Sequence, residues 1–405
     1  MKKVLLITYH FPPEGGPAVQ RVTKFVKYMN AFGYQPIVLT AGGAKKLKDS
    51  SLLKDIPEQT DVYRIADPGR LFRGSLKKLF KKHFVPDKFA MWRKRAVDEA
   101  VRLINKEKIE FIYSTSPPHS VQLIAERAAA KTGLPWVADF RDEWSEDPSF
   151  SENSFASFHK NMERSVIDTC DHLITITRTA ADHFSEKISG DKVTFLANGF
   201  DPDDFNGIER SENSPTGQLT IAYCGRLNRT HSPAPFFESL SSLLVENKIA
   251  ADQLKIRIFG NPKNSKYLKS FPVLEQCVSV SSYLPHTECI RELSSSDALL
   301  LLATKMNWTQ FLPAKMFEYF YLRKPILAVI SGKGELNDAL MEYGPVYVGY
   351  ENDPDSISSA ILQLFNDWKT RQLKDNADEV YISQFNRKDQ TGRLCAIFDQ
   401  LTRGN

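Results

Sequence analysis

The sequence predicts an α/β protein of two domains, each a parallel sheet covered by helices on both faces. Three observations lead there. The chain has 405 residues, more than one ordinary core holds and suited to two domains of about 150–200 residues. Short runs of nearly continuous Val, Ile and Leu alternate with amphipathic stretches almost throughout, the pattern of strands buried by intervening helices. A polar stretch from Asp201 to Gly217, holding Pro202, Gly207, Pro215 and Gly217, interrupts this alternation and reads as a linker.

The first apolar run covers residues 4–8. It stops at Ile7, short of the roughly 7–15 residues of a secretory signal core, so it reads as a buried first strand. A helix is expected over residues 18–32. Strands follow at 36–40, 111–114, 136–139, 172–175 and 193–196, with helices at 121–131 and 158–168 among the segments between them. After the linker the alternation resumes, with strands at 219–223, 254–259, 278–281, 298–302, 325–329 and 346–348. The tail from Ser356 to Leu401 reads as wholly helical.

Composition excludes several classes. Hydrophobic residues at 42% and charged residues at 25% are globular values. A net charge of +4 argues against nucleic-acid binding by the chain as a whole. The five cysteines are scattered without CxxC spacing, so no zinc or redox motif is visible. An odd, unpatterned set suits a reducing, cytoplasmic compartment. No run approaches the roughly 20 apolar residues of a membrane span.

Ligands of open parallel sheets bind beyond the carboxyl ends of the strands, so the residues after each strand carry the chemistry. The first strand leads into His10-Phe11-Pro12-Pro13-Glu14-Gly15-Gly16 and a helix bearing Arg21. The glycine pair permits close backbone approach to a ligand, and the helix start favours an anion. It reads equally as a tight strand-to-helix turn, and it is not the GxGxxG of dinucleotide sites. Ser114 to Ser120, with His119, is either a capping turn or a site loop. Asp139-Phe140-Arg141-Asp142-Glu143 gathers acids and an arginine after a strand, suited to holding a hydroxyl or moving a proton, or to a surface ion pair. Asn198-Gly199 marks a turn at the end of the first half. In the second half, Gly225 is followed by Arg226 and Arg229, and arginine makes bidentate contacts with phosphate. Pro313 suits the first turn of a helix whose free N–H groups can receive a diphosphate. Lys315 and Glu318 lie on that helix, and a carboxylate there can accept hydrogen bonds from ribose hydroxyls.

Taken together, Tyr9-His10-Phe11-Pro12-Pro13 with Gly15-Gly16, Asp139 to Trp144, Asn198-Gly199-Phe200-Asp201, Gly225-Arg226-Leu227 and Pro313-x-Lys315-x-Phe317-Glu318-Tyr319 resemble GT-B glycosyltransferase family 4, in its bacterial surface-polysaccharide type. The likeness spans nearly the whole chain. It implies two Rossmann-like domains facing a central cleft, with the C-terminal helix returning to the first. The first domain would cover 1–205 with a helix at about 380–405, and the second 206–379. It further implies a nucleotide-sugar donor, retention of anomeric configuration, a glycan or lipid-linked acceptor and no metal or other cofactor. Gly15, Gly16, Arg226, Arg229, His231, Pro313, Lys315 and Glu318 would bind the donor, with Arg226 on the diphosphate and Glu318 on the ribose. His10, Arg21, His119, Asp139 and Asn198 would lie on the acceptor side. Three positions depart from the family pattern. Gln310 stands where many members have a glutamate, and Arg229 or His231 where many have a lysine. Arg141 falls near the usual histidine, leaving Asp142 as the nearest proton carrier. Asp142, Arg141 and Gln310 would thus stand in the catalytic positions.

Between Arg70 and Arg95 ten basic residues, including Lys77, Lys78, Lys81 and Lys82, interleave with Leu71, Phe72, Leu76, Leu79, Phe80, Phe84, Phe89 and Trp92; Asp87 is the one acid. Such a stripe fits an interfacial helix on an anionic membrane, or a solvated face over ordinary core. Two other functions share the motifs: a nucleotide-sugar 2-epimerase of the same fold, and a degenerate, non-catalytic membrane-associated member.

Overall fold

The computed structural model describes residues 1–42, 49–71, 85–146, 155–208, 217–228, 231–260, 262–304 and 311–403. The chain divides into two compact units, one of residues 1–198 with 387–405 and one of residues 199–386.

The first unit is built on β1 (Lys2–Ile7), β2 (Tyr34–Gly42), β3 (Asp61–Ala66), β4 (Phe111–Ser116), β5 (Trp136–Phe140), β6 (His172–Thr175) and β7 (Val193–Phe195). They form a seven-stranded sheet in the order β3-β2-β1-β4-β5-β6-β7, and every neighbouring pair is parallel. Alternation along β1 explains its continuous apolar run. Leu5 and Ile7 enter one core with Trp92, Ile104 and Trp136. Val4 and Leu6 enter the other with Val22, Phe25 and Tyr113. Both faces are covered, so successive residues with opposite directions must all be apolar. The C-terminal helix, Arg387–Arg403, belongs to this unit. Its Leu394 and Phe398 complete the second core beside Phe25 from helix Pro17–Met29. Asp399 accepts from Tyr34 Oη at 2.6 Å and pairs with Lys2 at 3.2 Å.

The second unit carries β8 (Leu219–Cys224), β9 (Leu254–Phe259), β10 (Val278–Ser281), β11 (Ala298–Ala303), β12 (Ile326–Ile330) and β13 (Val346–Tyr350). Their order is β10-β9-β8-β11-β12-β13. The Ala298–Ala303 strand, ALLLLA, is buried throughout, and each such Leu contributes about 1.5–3 kcal/mol by leaving water.

Three features differ from the sequence expectation. β3 has no clean hydrophobic signal, because an edge strand of sequence DVYRIA keeps half its side chains toward solvent. The tail is not one helix. Helix Pro354–Lys369 stops, the chain passes Arg371 in a left-handed conformation, and helices Glu379–Ser383 and Arg387–Arg403 follow separately. Asp378 caps the second of these by accepting from Tyr381 N. Finally, part of the expected linker is ordered structure: Pro202–Phe205 is a 3-10 turn within the second unit, started by Asp201 accepting from Asp203 N.

Candidate active site

In each sheet the strand order reverses direction at one point, between β1 and β4 in the first unit and between β8 and β11 in the second. Side chains beyond the carboxyl ends of these strands are the candidates.

In the second unit β8 is followed directly by Gly225, whose φ of +152° lies in a region that side-chain-bearing residues rarely adopt. A Cβ there would also strike Nζ of Lys315, from the start of helix Lys315–Leu322. That ammonium sits 3.9 Å from the Tyr223 ring centroid. The Tyr223 hydroxyl donates to the Arg226 carbonyl at 3.3 Å. The end of β8 and the start of the helix are thereby brought together. Arg226 is exposed, and among the described residues its guanidinium has no hydrogen bond or ion pair. Lys315 and Arg226 therefore supply fixed and free positive charge beside a glycine-lined backbone.

Pro313 lies one residue before the N-cap Ala314, not inside the first turn. The Met316 and Phe317 amides donate back to Pro313 and Ala314, so those two N–H groups are already engaged. One turn into the helix, Glu318 Oε1 is 2.7 Å from His286 Nε2. His286 opens helix His286–Ser294. Cys224 Sγ lies 3.7 Å from the Cys289 carbonyl, which sets this helix against the end of β8. Burial opposes charge on His286, but Glu318, and more weakly Asp204, outweigh it and raise its pKa to about 9. His231 behaves oppositely. Burial and the Lys315 charge lower its pKa to about 4. It is a neutral ring at pH 7 and lacks a lysine's charge. Arg229 and Gln310 lie outside the described residues.

In the first unit, His10 Nδ1 is 2.6 Å from Glu14 Oε2, and Gly16, with φ +113°, caps helix Pro17–Met29 by backbone alone. Gly15 adjoins it, half-buried. Arg21 and Asp139 are turned into the protein, not toward solvent. They are 1% and 0% exposed and form a buried pair through Nε at 2.9 Å and Nη2 at 3.1 Å. Arg21 also donates to the Ala197 and Leu196 carbonyls. Asp139 accepts further bonds from Tyr113 and Thr115. Their polar groups are spent on tying β5 and β7's exit to the helix after β1. Arg141 is likewise structural, donating to the carbonyls of Ser116, Pro117 and Ala18. Asn198 binds Arg387 and Gln390 of the C-terminal helix. His119 is stacked on Trp144, with centroids 4.7 Å apart and planes at 4°. Burial first, then the His159 and Arg141 charges, lower its pKa to about 3, so it is a neutral stacking ring. Asp142 is half-buried just beyond β5. Of the first-unit candidates that can carry a proton, His10 and Asp142 are half-buried rather than buried.

Nothing in the sequence pattern singles out His286. The one available signal is that it opens a helix, after Pro285, at the carboxyl end of a predicted strand.

A family model described as "Glycosyl transferase 4-like domain" matches residues 15–199. No curated protein matches the sequence. Among solved structures, a sucrose-phosphate synthase from Thermosynechococcus elongatus is similar at 12% identity and TM-score 0.70, covering 100% of both chains. A glycosyltransferase from Rickettsia africae has 13% identity and TM-score 0.69, covering 100% of this chain and 99% of its own. HepE of Anabaena, solved in complex with UDP and glucose, has 14% identity and TM-score 0.67, covering 99% of this chain and 100% of its own. At these identities the likeness is one of fold. That fold is GT-B: two parallel-sheet Rossmann-like domains.

Proposed function

We propose that the chain is a family 4 glycosyltransferase that moves a sugar, with retention of configuration, from a nucleoside-diphosphate sugar to a glycan or lipid-linked acceptor of surface-polysaccharide synthesis. The observation that carries this reading is that the helix bearing Lys315 and Glu318 packs by its first residue on Gly225 at the carboxyl end of β8, where Arg226 follows. Cations suited to a diphosphate and a carboxylate suited to a sugar diol thus come from adjoining elements. The HepE complex with UDP and glucose supports a donor of this class. Arg226, with Lys315 and Arg229, would hold the diphosphate and Glu318 the ribose. Gln310, an amide, would hydrogen-bond the transferred sugar. Asp142 would carry the proton on the acceptor side, and His10 would lie on that side too.

Purified protein should release nucleoside diphosphate from its nucleotide sugar and pass the sugar to an added acceptor. A 2-epimerase would instead convert the donor with no acceptor present. No metal is required in this reading, because the cations above supply the positive field. EDTA should leave turnover unchanged within about twofold, since no charge-stabilising partner of the size described for catalytic ions is removed. Loss of activity in EDTA, restored by manganese, would contradict it.

The acceptor reading extends to the membrane. No helix among the described residues is long and apolar enough to cross one. Residues 72–84 of the stripe lie outside the described residues, while Trp92 is core and Phe89 packs against it, so the proposal rests on the sequence of 72–84. Each basic residue near an anionic surface contributes roughly 1 kcal/mol, screened within a Debye length. Replacing Lys77, Lys78, Lys81 and Lys82 with glutamine should reduce co-sedimentation with anionic vesicles, and salt should reduce it in the parent protein. Equal binding of the two proteins would make the stripe an ordinary solvated face.

A further inference from the structure

Glu318 does not stand alone. Its side chain is 15% exposed, and that of His286 is 11% exposed. One carboxylate oxygen, Oε1, is held by His286 Nε2 at 2.7 Å. Among the described residues no hydrogen bond or ion pair reaches Oε2. A carboxylate on a helix has two free torsions before its terminal group, and an unrestrained one loses side-chain entropy when a ligand fixes it. The His286 contact has already paid that cost in the free protein.

We propose that His286 is the positioning residue of the donor site, its Nε2–H holding Oε1 of Glu318 so that Oε2 accepts the hydroxyls of a vicinal diol such as ribose. The inference rests on the reading of Glu318 as the diol acceptor and adds a residue to it. The arrangement has a preference built in. A carboxylate oxygen accepts hydrogen bonds and repels anions, so it selects a free diol over a phosphorylated one.

The groups around His286 are Glu318 on helix Lys315–Leu322, Asp204 on the turn Pro202–Phe205, Cys289 one turn along its own helix and Cys224 at the end of β8. Glu318 and Asp204 favour the imidazolium, and burial opposes it. With the pKa raised to about 9 from about 6.5 when unfolded, the sign is fixed. The pair's contribution to stability is fully present below pH 6.5 and is lost as pH rises through about 9. In the folded protein the contact loses its charge near pH 9, and Glu318 is then held only by a neutral N–H donor.

Two readouts test this. The first needs no ligand: thermal stability of the parent protein, His286→Gln and Glu318→Gln between pH 6.5 and 10. The parent should lose stability between pH 6.5 and about 9 relative to both variants. Identical profiles in all three would show that the pair is not formed, overturning the proposal. The second is the dissociation constant of whichever of UDP, GDP, ADP and CDP raises the melting temperature most. Glu318→Ala and His286→Ala should each weaken it roughly tenfold or more, the scale of a hydrogen bond to a charged group. The double variant should be no worse than Glu318→Ala, because His286 acts through Glu318. His286→Gln, which still donates a hydrogen bond, should recover part of the loss and remove the alkaline dependence of binding. Additive losses in the double variant would overturn the positioning role while leaving Glu318's. No loss in Glu318→Ala would remove the diol acceptor itself, and with it the proposal.

Discussion

Replacing Asp139 with alanine should destabilise the protein by about 3–5 kcal/mol, the usual consequence of stranding one partner of a buried ion pair. The variant would leave the Arg21 guanidinium, 1% exposed, without the carboxylate that takes two of its donors at 2.9 and 3.1 Å. It would also strip the acceptor from the Tyr113 and Thr115 hydroxyls. Burial works against the charge on Arg21, and the Asp139 carboxylate more than offsets it, holding the guanidinium's pKa above its ordinary value. Asp139→Asn keeps the volume and some hydrogen bonds, so it should fall between alanine and the parent. Changing both partners to apolar residues of similar size should cost much less than either alone, because no charge is then left unpaired. The midpoint of urea denaturation checks all four proteins. A loss under about 1 kcal/mol for Asp139→Ala would place it at a surface pair's value, and the frame described here would not hold.

Arg226→Ala should lower kcat/KM by a factor on the order of a hundred or more, as expected for removing one preorganised electrostatic partner of a transition state. Negative charge grows on the diphosphate as the sugar departs. A cation that meets it acts more on the transition state than on the bound donor. Arg226 is suited to this because it is exposed and uncommitted among the described residues, and because it follows a glycine that lets the backbone pass close to Lys315. Lys315 is packed over Tyr223, so it remains in the variant and bounds the loss. Arg226→Lys should restore activity only in part, since an ammonium lacks the planar fork. Steady-state kinetics against donor concentration separate the cases. A rise in KM with kcat unchanged would mean that Arg226 contributes uniform binding alone.

The fold was legible wherever strands are buried on both faces. Residues 4–7 of β1 and the whole of β11 have no polar position to confuse their reading, and β9, LKIRIF, alternates cleanly, whereas the half-exposed β3 carried no such signal. The break after Lys369 was hidden because the extended segment that follows is as polar as a helix surface. At the site, sequence order alone picked out Gly225, Arg226, Lys315 and Glu318, since each follows or opens an element at a strand's carboxyl end. It did not separate exposed charges from those that hold the frame. Arg21, Asp139 and Arg141 look in sequence like Arg226, and only burial distinguishes them. His286 was illegible for another reason: its significance depends on Glu318, thirty-two positions away along the chain.

The central claim is that the carboxyl end of β8 holds a nucleoside diphosphate. The most direct measurement is a thermal-shift titration of UDP, GDP, ADP and CMP against the parent protein, Arg226→Ala and Glu318→Ala. A ligand that binds only the folded state raises its stability by mass action, about 2.7 kcal/mol at a hundred times its dissociation constant. The account predicts that one nucleoside diphosphate stabilises the parent strongly, CMP less, and that both variants need at least roughly tenfold more of it for the same shift. Absence of stabilisation by any of the four, or equal stabilisation of all three proteins, would contradict it.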